Sequence, residues 1–272
     1  MDRGRIAIIG GGNMGGAILH GLMKEHANPA NILLVEIREQ VRKEFDRRYK
    51  IATASAIEGR IGDYDAIILA VKPQDIEVLL SKLSPFMTPH NLVISVAAGI
   101  STAYIADRLQ AQQPVARTMP NIAAQVGASA VAVCFNENVQ ESQKKLARSI
   151  ISSIGFVVEV DEGKMDAVTG LSGSGPAFVF LMIEALSDGG VLMGLSRETA
   201  LALAVQTVYG AASMVGKTGE HPAVLRERVT SPGGTTAEGL FTLEKGGFRH
   251  LVSGAVRAAA EKSAAVGKKL GS

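Results

Sequence analysis

The 272-residue sequence predicts an α/β fold, with a doubly wound parallel sheet over residues 1–160 and an all-helical region over 161–272. Three observations carry this expectation. Apolar, β-branched runs alternate with helix-like segments up to about residue 160. A glycine-rich turn follows the first of those runs. After Asp161 the strand-like runs stop, and long stretches of apolar and small residues replace them.

Ile6-Ala7-Ile8-Ile9 reads as the first strand, and Gly10-Gly11-Gly12-Asn13-Met14-Gly15 follows it. Gly10, Gly12 and Gly15 lie at the G-x-G-x-x-G spacing. Gly10 permits a tight turn, Gly12 leaves room for a pyrophosphate against the backbone, and Gly15 lets a helix lie close to the sheet. A helix over 16–25 can follow, and its unpaired N–H groups suit phosphate. The spacing alone is weak, because 30 glycines in 272 residues make chance matches frequent. The strand–turn–helix context sharpens it toward a Rossmann-type dinucleotide domain. A purely structural glycine turn is the alternative.

Residues 31–36 form the second expected strand. Glu36 stands 21 residues after Gly15, near the separation at which a carboxylate holds the adenosine ribose and favours NAD. Arg38 and Arg42 can instead face the 2′-phosphate of NADP, or simply begin a solvated helix. Residues 64–71 give the clearest buried strand, ended by Lys72-Pro73 at its carboxyl edge, which is the binding edge of such sheets. A helix follows over 75–83, with Ile76, Leu79, Leu80 and Leu83 on one face. Residues 92–96 form a strand, and Ser101 or Thr102 caps a helix to Leu109. Residues 114–117 form a strand that runs into Thr118-Met119-Pro120-Asn121. A strand over 129–135, a helix over 142–152 and a strand over 155–160 complete the sheet domain.

Beyond Asp161 a short helical piece, 165–169, ends near Gly170. A long helix over 174–193 is entered through Ser172-Gly173-Ser174-Gly175-Pro176, with the proline in its first turn. Ser196, with Thr199 three positions on, caps a helix to Val215. His221 opens a short helix to Arg228, with Pro222 in its first turn. Ser231-Pro232-Gly233-Gly234-Thr235-Thr236 is a polar loop before a helix over 236–245. Gly246-Gly247 breaks that helix, and 248–266 forms the last one, with Lys268-Lys269 fraying. Segments 177–193 and 200–215 are apolar or small on more than one face, as in helices buried all round. A second subunit, most simply under C₂ symmetry, satisfies that pattern.

Composition narrows the function. The chain is 47% hydrophobic, and 28 Lys and Arg against 26 Asp and Glu leave a net charge of +2, which gives no support for nucleic-acid binding. The single Cys134 excludes an intrachain disulfide and stands in a strand-like run, as a core residue rather than a nucleophile. The first strand begins with no secretory leader before it. The richest apolar run, 177–183, is too short to span a bilayer and ends in Glu184. These features point to a cytoplasmic protein that engages no membrane. The lack of tryptophan disfavours stacking platforms.

Chemistry-bearing patterns are few. His20, His26, His90, His221 and His250 are scattered, so no metal is expected. Ser172-Gly173-Ser174-Gly175 superficially resembles a nucleophile elbow but lacks a preceding strand. The 231–236 loop is more informative. Consecutive backbone N–H groups at a helix start hold a carboxylate or phosphate without arginine, and Thr235 and Thr236 add hydroxyls. An ordinary cap, with Thr236 as the capping residue, is the alternative. A nucleotide fold plus a small-anion loop fits a reductase or dehydrogenase acting on a small acid. Without a clear catalytic histidine, an acceptor that is already cationic, such as a protonated imine, is attractive.

These motifs, in this order and over essentially the whole chain, resemble the pyrroline-5-carboxylate reductases, which make proline from its cyclic imine. The resemblance rests on Gly10 to Gly15, Ala70-Val71-Lys72-Pro73, Arg117 to Asn121, Ser172 to Ala177 and, most discriminating, Ser231 to Thr236. It implies reduction of 1-pyrroline-5-carboxylate with NADPH or NADH. It implies that Gly10, Gly12, Asn13, Met14 and Gly15 hold the pyrophosphate, with Glu36 and Arg38 at the position that chooses between NAD and NADP, and with Ser55 either substituting for a cofactor-holding asparagine or leaving that contact missing. Ala70, Val71, Lys72 and Pro73 would line the nicotinamide ribose, and Met119, Pro120 and Asn121 the nicotinamide and substrate. Gly233, Gly234 and Thr235 would bind the substrate carboxylate through main-chain N–H groups. Thr236 would turn its hydroxyl to the ring nitrogen, and Glu220 matches an acid near the site. The resemblance also implies a homodimer or ring of dimers built through the helical domain, with site residues borrowed from the neighbouring subunit.

Two departures stand out. Where many relatives place a cofactor-holding asparagine, this chain has Thr53-Ala54-Ser55-Ala56-Ile57. Where NADP-preferring relatives often carry a small polar residue beside an arginine, it has Glu36-Ile37-Arg38. Two competing readings carry weaker support. A related imine or β-hydroxyacid dehydrogenase would place a lysine in a long helix as general acid, and the helix after Pro176 has none before Lys217. A non-catalytic nucleotide-binding protein would bind the dinucleotide without turnover.

Overall fold

The structure is a computed structural model that describes residues 4–109 and 112–270. It forms two compact units. One holds residues up to Ser174 together with the chain from Arg257 onward, and the other runs from Gly175 to Val256.

The first unit is built on a sheet of β1 (Ile6–Ile9), β2 (Ile32–Val35), β3 (Ala52–Ala54), β4 (Ala66–Leu69), β5 (Leu92–Ser95), β6 (Val115–Met119), β7 (Ser129–Phe135) and β8 (Gly155–Glu159). Their spatial order is β3-β2-β1-β4-β5-β6-β7-β8. β1 pairs in parallel with both β2 and β4, so chain order reverses there. The crevice beyond the carboxyl ends of β1 and β4 is therefore the topological switch point, where such sheets bind ligands.

Side-chain alternation explains the burial. Ile6, Ile8, Leu34, Ile68 and Ile94 face one apolar layer with Ile18, Leu19 and Leu22 of α1 (Asn13–Lys24) and Ile150 and Ile151 of α5 (Glu141–Ile151). Ala7, Ile9, Ile67, Leu69 and Val93 face the other, with Leu79, Leu80 and Leu83 of α3 (Ile76–Leu83) and Ile105 of α4 (Thr102–Arg108). Central strands covered on both faces need unbroken apolar runs, and each fully buried isoleucine contributes about 2 kcal/mol.

Several expectations change in detail. β7 runs antiparallel to β6, whereas the strand–helix rhythm implied a parallel neighbour. The link over 120–128 is too short for a parallel crossover, which takes a dozen or more residues. β8 then lies parallel to β7, because α5 supplies a full crossover. α1 starts at Asn13, three residues early, because Gly12 in extended conformation serves as its N-cap. Thr53 and Ala54 belong to a short strand, β3, absent from the expected strands, and α2 (Glu39–Tyr49) leads into it. Ser101 caps α4 by accepting the Tyr104 N–H at 3.1 Å, as anticipated. The helical piece α6 (Met165–Val168) does not stop at Gly170. It continues as a π-turn over Thr169–Gly173, closed by Ser174 N–H donating to the Thr169 carbonyl at 2.8 Å.

The second unit is helical: α7 (Gly175–Leu192), α8 (Arg197–Thr218), α9 (Pro222–Arg228), α10 (Thr235–Lys245) and the first part of α11 (Phe248–Leu270). α11 reaches Leu270, so Lys268 and Lys269 are helical and not frayed. Ser263 on its later part donates to Asp166 Oδ1 at 2.7 Å and anchors it to the sheet unit. Ser196 accepts the Thr199 N–H and caps α8, and Gly219 ends it in the left-handed conformation. α7 and α8 meet through small residues, since a β-carbon at Gly190 would lie 3.0 Å from the Ala200 β-carbon.

The same two helices expose much apolar surface. Leu192 and Met193 are 85% and 83% exposed, and Phe180, Leu181, Leu203 and Tyr209 are exposed as well. The length limit expected at residue 183 does not hold. α7 runs on through Glu184 and Asp188, and both Glu162–Leu192 and Arg197–Thr218 are long and apolar enough to cross a membrane. Length therefore does not distinguish a bilayer from a protein partner as the cover for these faces.

Gly21 of α1 tests the packing of that helix on the sheet unit. Alanine normally stabilises a helix interior by about 1 kcal/mol over glycine. Here a β-carbon would lie 2.4 Å from the Ser153 carbonyl oxygen. Gly21→Ala is expected to lower the unfolding free energy in urea by about 1–3 kcal/mol. A gain in stability would contradict that contact.

Candidate functional site

The glycine turn sits at the switch point. Gly10 has φ +102°, and a β-carbon there would lie 2.5 Å from the Ala70 carbonyl oxygen. A β-carbon on Gly15 would lie 1.9 Å from the Gly10 carbonyl oxygen, so only glycine lets α1 approach the turn. A β-carbon on Gly12 would meet nothing within 4 Å. Gly12 N-caps α1 without a side-chain partner, so the first-turn N–H groups, including those of Asn13 and Met14, have no acceptor within the helix. An anionic pyrophosphate suits that cradle in charge and hydrogen bonding.

At the end of β2 the structure adds a network that the spacing did not reveal. Glu36 is 5% exposed. Its Oε2 accepts the Gly11 N–H at 2.8 Å and Arg38 Nη2 at 2.9 Å. Its Oε1 accepts the Arg38 backbone N–H at 2.9 Å and Arg38 Nε at 3.0 Å. The hydrogen bonds from the Arg38 side chain, against the opposing effect of burial, hold the carboxyl down to about 2. Arg42 donates to the carbonyls of Glu36 at 2.6 Å and Ile37 at 2.9 Å. Ser55 is exposed just beyond β3, whose Ala54 carbonyl accepts the Glu36 N–H at 3.0 Å.

Ala70 and Val71 follow β4 beside the turn, and the Ala70 N–H donates to the Ile9 carbonyl at 2.9 Å. Pro73 stops the ladder and opens a short 3₁₀ turn. The Lys72 side chain is exposed at that edge, with no ion-pair partner among the described residues. Met119 ends β6. Asn121 is nearly buried and its amide is committed within the unit: Nδ2 donates to the Ser172 carbonyl at 2.9 Å, and Oδ1 accepts the Ala123 N–H at 3.0 Å. Its own N–H donates to Ser129 Oγ at 2.9 Å. Gly173 leaves room for Met119, whose Cε would lie 2.7 Å from a β-carbon there. Met119, Pro120 and Asn121 are thereby braced against the π-turn.

The loop 231–236 is described within its own unit. Gly233 has φ +65°. Gly234 is the N-cap of α10, so Thr236 lies inside the first turn and is not the capping residue. A β-carbon on Gly234 would lie 2.2 Å from Ser231 Oγ, so a larger residue there would have to turn that hydroxyl away. No side chain caps α10, and the N–H groups of Thr235 and Thr236 have no acceptor within the helix. The Thr236 hydroxyl, half-buried, has no hydrogen-bond partner among the described residues. Glu220 is held by Arg228 through both carboxylate oxygens. His221 Nδ1 accepts the Ala223 N–H at 3.2 Å, so the histidine caps α9. Cys134 is buried, and burial pushes its thiol up to about 12.

Two contributors were missed by sequence reasoning. Gly11, unmarked by the glycine spacing, links the turn to Glu36. Glu162 accepts from the Thr102 N–H at 2.8 Å, Thr102 Oγ1 at 2.6 Å and Arg117 Nη1 at 3.1 Å, and so ties β6 to α4. Neither leaves a sequence signal, because both depend on residues brought together by the sheet.

Comparisons with known proteins place the chain in a family. A family model described as pyrroline-5-carboxylate reductase dimerisation matches residues 162–266, and one described as NADP oxidoreductase coenzyme F420-dependent matches residues 5–99. The chain is 43% identical over 270 residues to the pyrroline-5-carboxylate reductase of Methanosarcina acetivorans, covering 99% of this chain and 100% of that one. A solved pyrroline-5-carboxylate reductase from Coxiella burnetii is similar with TM-score 0.92 and 36% identity, covering 99% of each chain. The Plasmodium falciparum pyrroline carboxylate reductase, solved with NADP bound, is similar with TM-score 0.85 and 33% identity over 98% of this chain and 99% of that one.

The Glu36 network predicts a pH signature. A carboxyl lowered in the folded state stabilises above its unfolded pKa, about 4.3, and that contribution is lost as pH falls toward 2. The Arg38 side chain is 57% exposed, so solvent screens part of the effect. Glu36→Gln is expected to cost about 1–3 kcal/mol in urea unfolding at pH 7, with the difference closing between about pH 4 and pH 2. A difference that stays constant over that range would contradict the network.

Proposed function

The chain belongs to the pyrroline-5-carboxylate reductase family, and on that premise we propose that it reduces 1-pyrroline-5-carboxylate to L-proline with NAD(P)H, the final step of proline biosynthesis. The observation that carries this reading is the first turn of α10. Left-handed Gly233 and N-capping Gly234 leave the Thr235 and Thr236 N–H groups unpaired, with a free hydroxyl beside them. That arrangement suits a carboxylate next to a polar ring atom.

In this reading Gly10, Gly12, Asn13, Met14 and Gly15 hold the pyrophosphate. Ala70, Val71, Lys72 and Pro73 line the nicotinamide ribose, and Met119, Pro120 and Asn121 border the nicotinamide. Bound NAD(P)H supplies a hydride from its nicotinamide ring. Gly233, Gly234 and Thr235 hold the substrate carboxylate by main-chain donors, which keeps C5 in one orientation. The Thr236 hydroxyl accepts from the protonated ring nitrogen and fixes the plane of the imine. A ring nitrogen that enters already protonated would take up the C=N electron pair without a proton from the chain. No histidine or lysine need deliver one. Asn121, with its amide committed internally, acts by shaping this region, and Glu220 acts through its clamp on Arg228.

We assign the exposed apolar side chains of α7 and α8 to an interface between copies of this chain, within a helical domain over 161–272 distinct in role from the dinucleotide domain over 1–160. A homodimer is the minimal assembly and a ring of dimers the larger one, working in the cytoplasm. Native mass spectrometry is expected to give an even number of subunits, and a monomer would contradict this.

The activity test is loss of absorbance at 340 nm when 1-pyrroline-5-carboxylate is added to the protein with NADPH or NADH. No loss with either cofactor would overturn the reading. Thr236→Ala is expected to lower kcat about ten- to thirtyfold, the worth of one hydrogen bond to a charged group. Its nucleotide affinity should change less than about twofold, as expected of a residue that touches only the substrate. Equal kcat in both proteins would refute the role of Thr236.

A further inference from the structure

The end of β2 decides which dinucleotide the glycine turn favours. A ribose carboxylate selects NAD by accepting hydrogen bonds from the 2′- and 3′-hydroxyls. It needs spare acceptor capacity to do so. A carboxylate offers about four lone-pair sites. On Glu36 four are filled, by Gly11 N–H, Arg38 N–H, Arg38 Nε and Arg38 Nη2, all within 3.0 Å. A ribose diol could bind there only by displacing a charge-assisted bond from a nearly buried anion.

The charges at the same turn point the other way. Glu36 is neutralised by Arg38, and Arg42 adds a second guanidinium held on the Glu36 and Ile37 carbonyls. Glu39 and Lys43 pair with each other at 2.7 Å and cancel. The turn therefore carries one net positive charge. Arg38 uses only one edge of its guanidinium on Glu36, and its side chain is more than half exposed. The remaining N–H groups of that planar fork suit a phosphate.

We propose that Glu36 is a brace for the glycine turn and not a ribose ligand, and that Arg38 makes this chain favour the 2′-phosphorylated dinucleotide, NADPH, over NADH. This rests on the reading that the turn over residues 10–15 binds a dinucleotide. Glu36 thus does two jobs as a positioning residue. It fixes Gly11 in the turn, and it holds Arg38 with its free edge outward.

Equilibrium titration of the full-length protein with NADPH and with NADH, followed by nucleotide fluorescence without substrate, tests this. The wild-type protein is expected to bind NADPH at least about tenfold more tightly. In Arg38→Ala the ratio should fall to about one or below, through loss of NADPH affinity. NADH affinity should be kept or improved, because Glu36 regains acceptor sites. A wild-type protein with no preference or a preference for NADH, or a ratio unchanged in Arg38→Ala, overturns the proposal while leaving dinucleotide binding intact. Binding of neither nucleotide by the wild-type protein overturns both. If circular dichroism shows Arg38→Ala to be unfolded, Arg38→Lys replaces it. Lysine keeps a cation beside Glu36 but loses the second edge, so the ratio should fall at least about threefold, and an unchanged ratio overturns the proposal.

Discussion

Backbone packed directly on backbone at the switch point is the constraint on which the rest of the sheet unit depends. Gly10 turns the chain where a β-carbon would collide with the Ala70 carbonyl, and Gly15 brings α1 down onto the Gly10 carbonyl. Together they bring the ends of β1 and β4 and the start of α1 to one place. The dipole of α1, the open space above Gly12 and the exposed Lys72 then share one edge of the sheet. Side chains contribute little to this cradle. Its donors are N–H groups, which every substitution except proline keeps and which cost no rotamer entropy to place.

The 231–236 loop in the helical unit repeats the same device. A left-handed glycine and an N-capping glycine present two free N–H groups at the start of α10, as the glycine turn presents those of α1. Uncapped main-chain donors therefore stand at both glycine-marked helix starts. Side chains are reserved for tuning. Thr236 carries a hydroxyl with no partner among the described residues, and Arg38 is held on Glu36. Two of the histidines have structural partners: His221 is spent on a cap, and His20 lies among Phe45 and Tyr49.

The sheet was largely legible in the sequence, because β1, β4 and β5 are buried on both faces and must be apolar without interruption. β3 was not read as a strand. It is three residues long and only partly buried, so Ala52-Thr53-Ala54 leaves no apolar run. The reversed direction of β7 was implicit only in the length of the 120–128 link. The glycine turn and the 231–236 loop were legible because glycine marks conformations that other residues avoid. Thr236 was legible as part of that loop, but its place inside the helix depended on which glycine capped α10. The role of Glu36 was not legible. Spacing put a carboxylate at the ribose position, whereas its filled acceptor sites depend on the Arg38 side chain folding back over two residues.

The central claim is that hydride passes to the imine carbon of a substrate held by its carboxylate. The most direct measurement is the position of label in the product when 1-pyrroline-5-carboxylate is reduced with NADPH dideuterated at nicotinamide C4. Mass spectrometry and proton NMR of the isolated proline should show one deuterium, located at C5. Unlabelled proline, label at another carbon, or no proline at all would contradict the account.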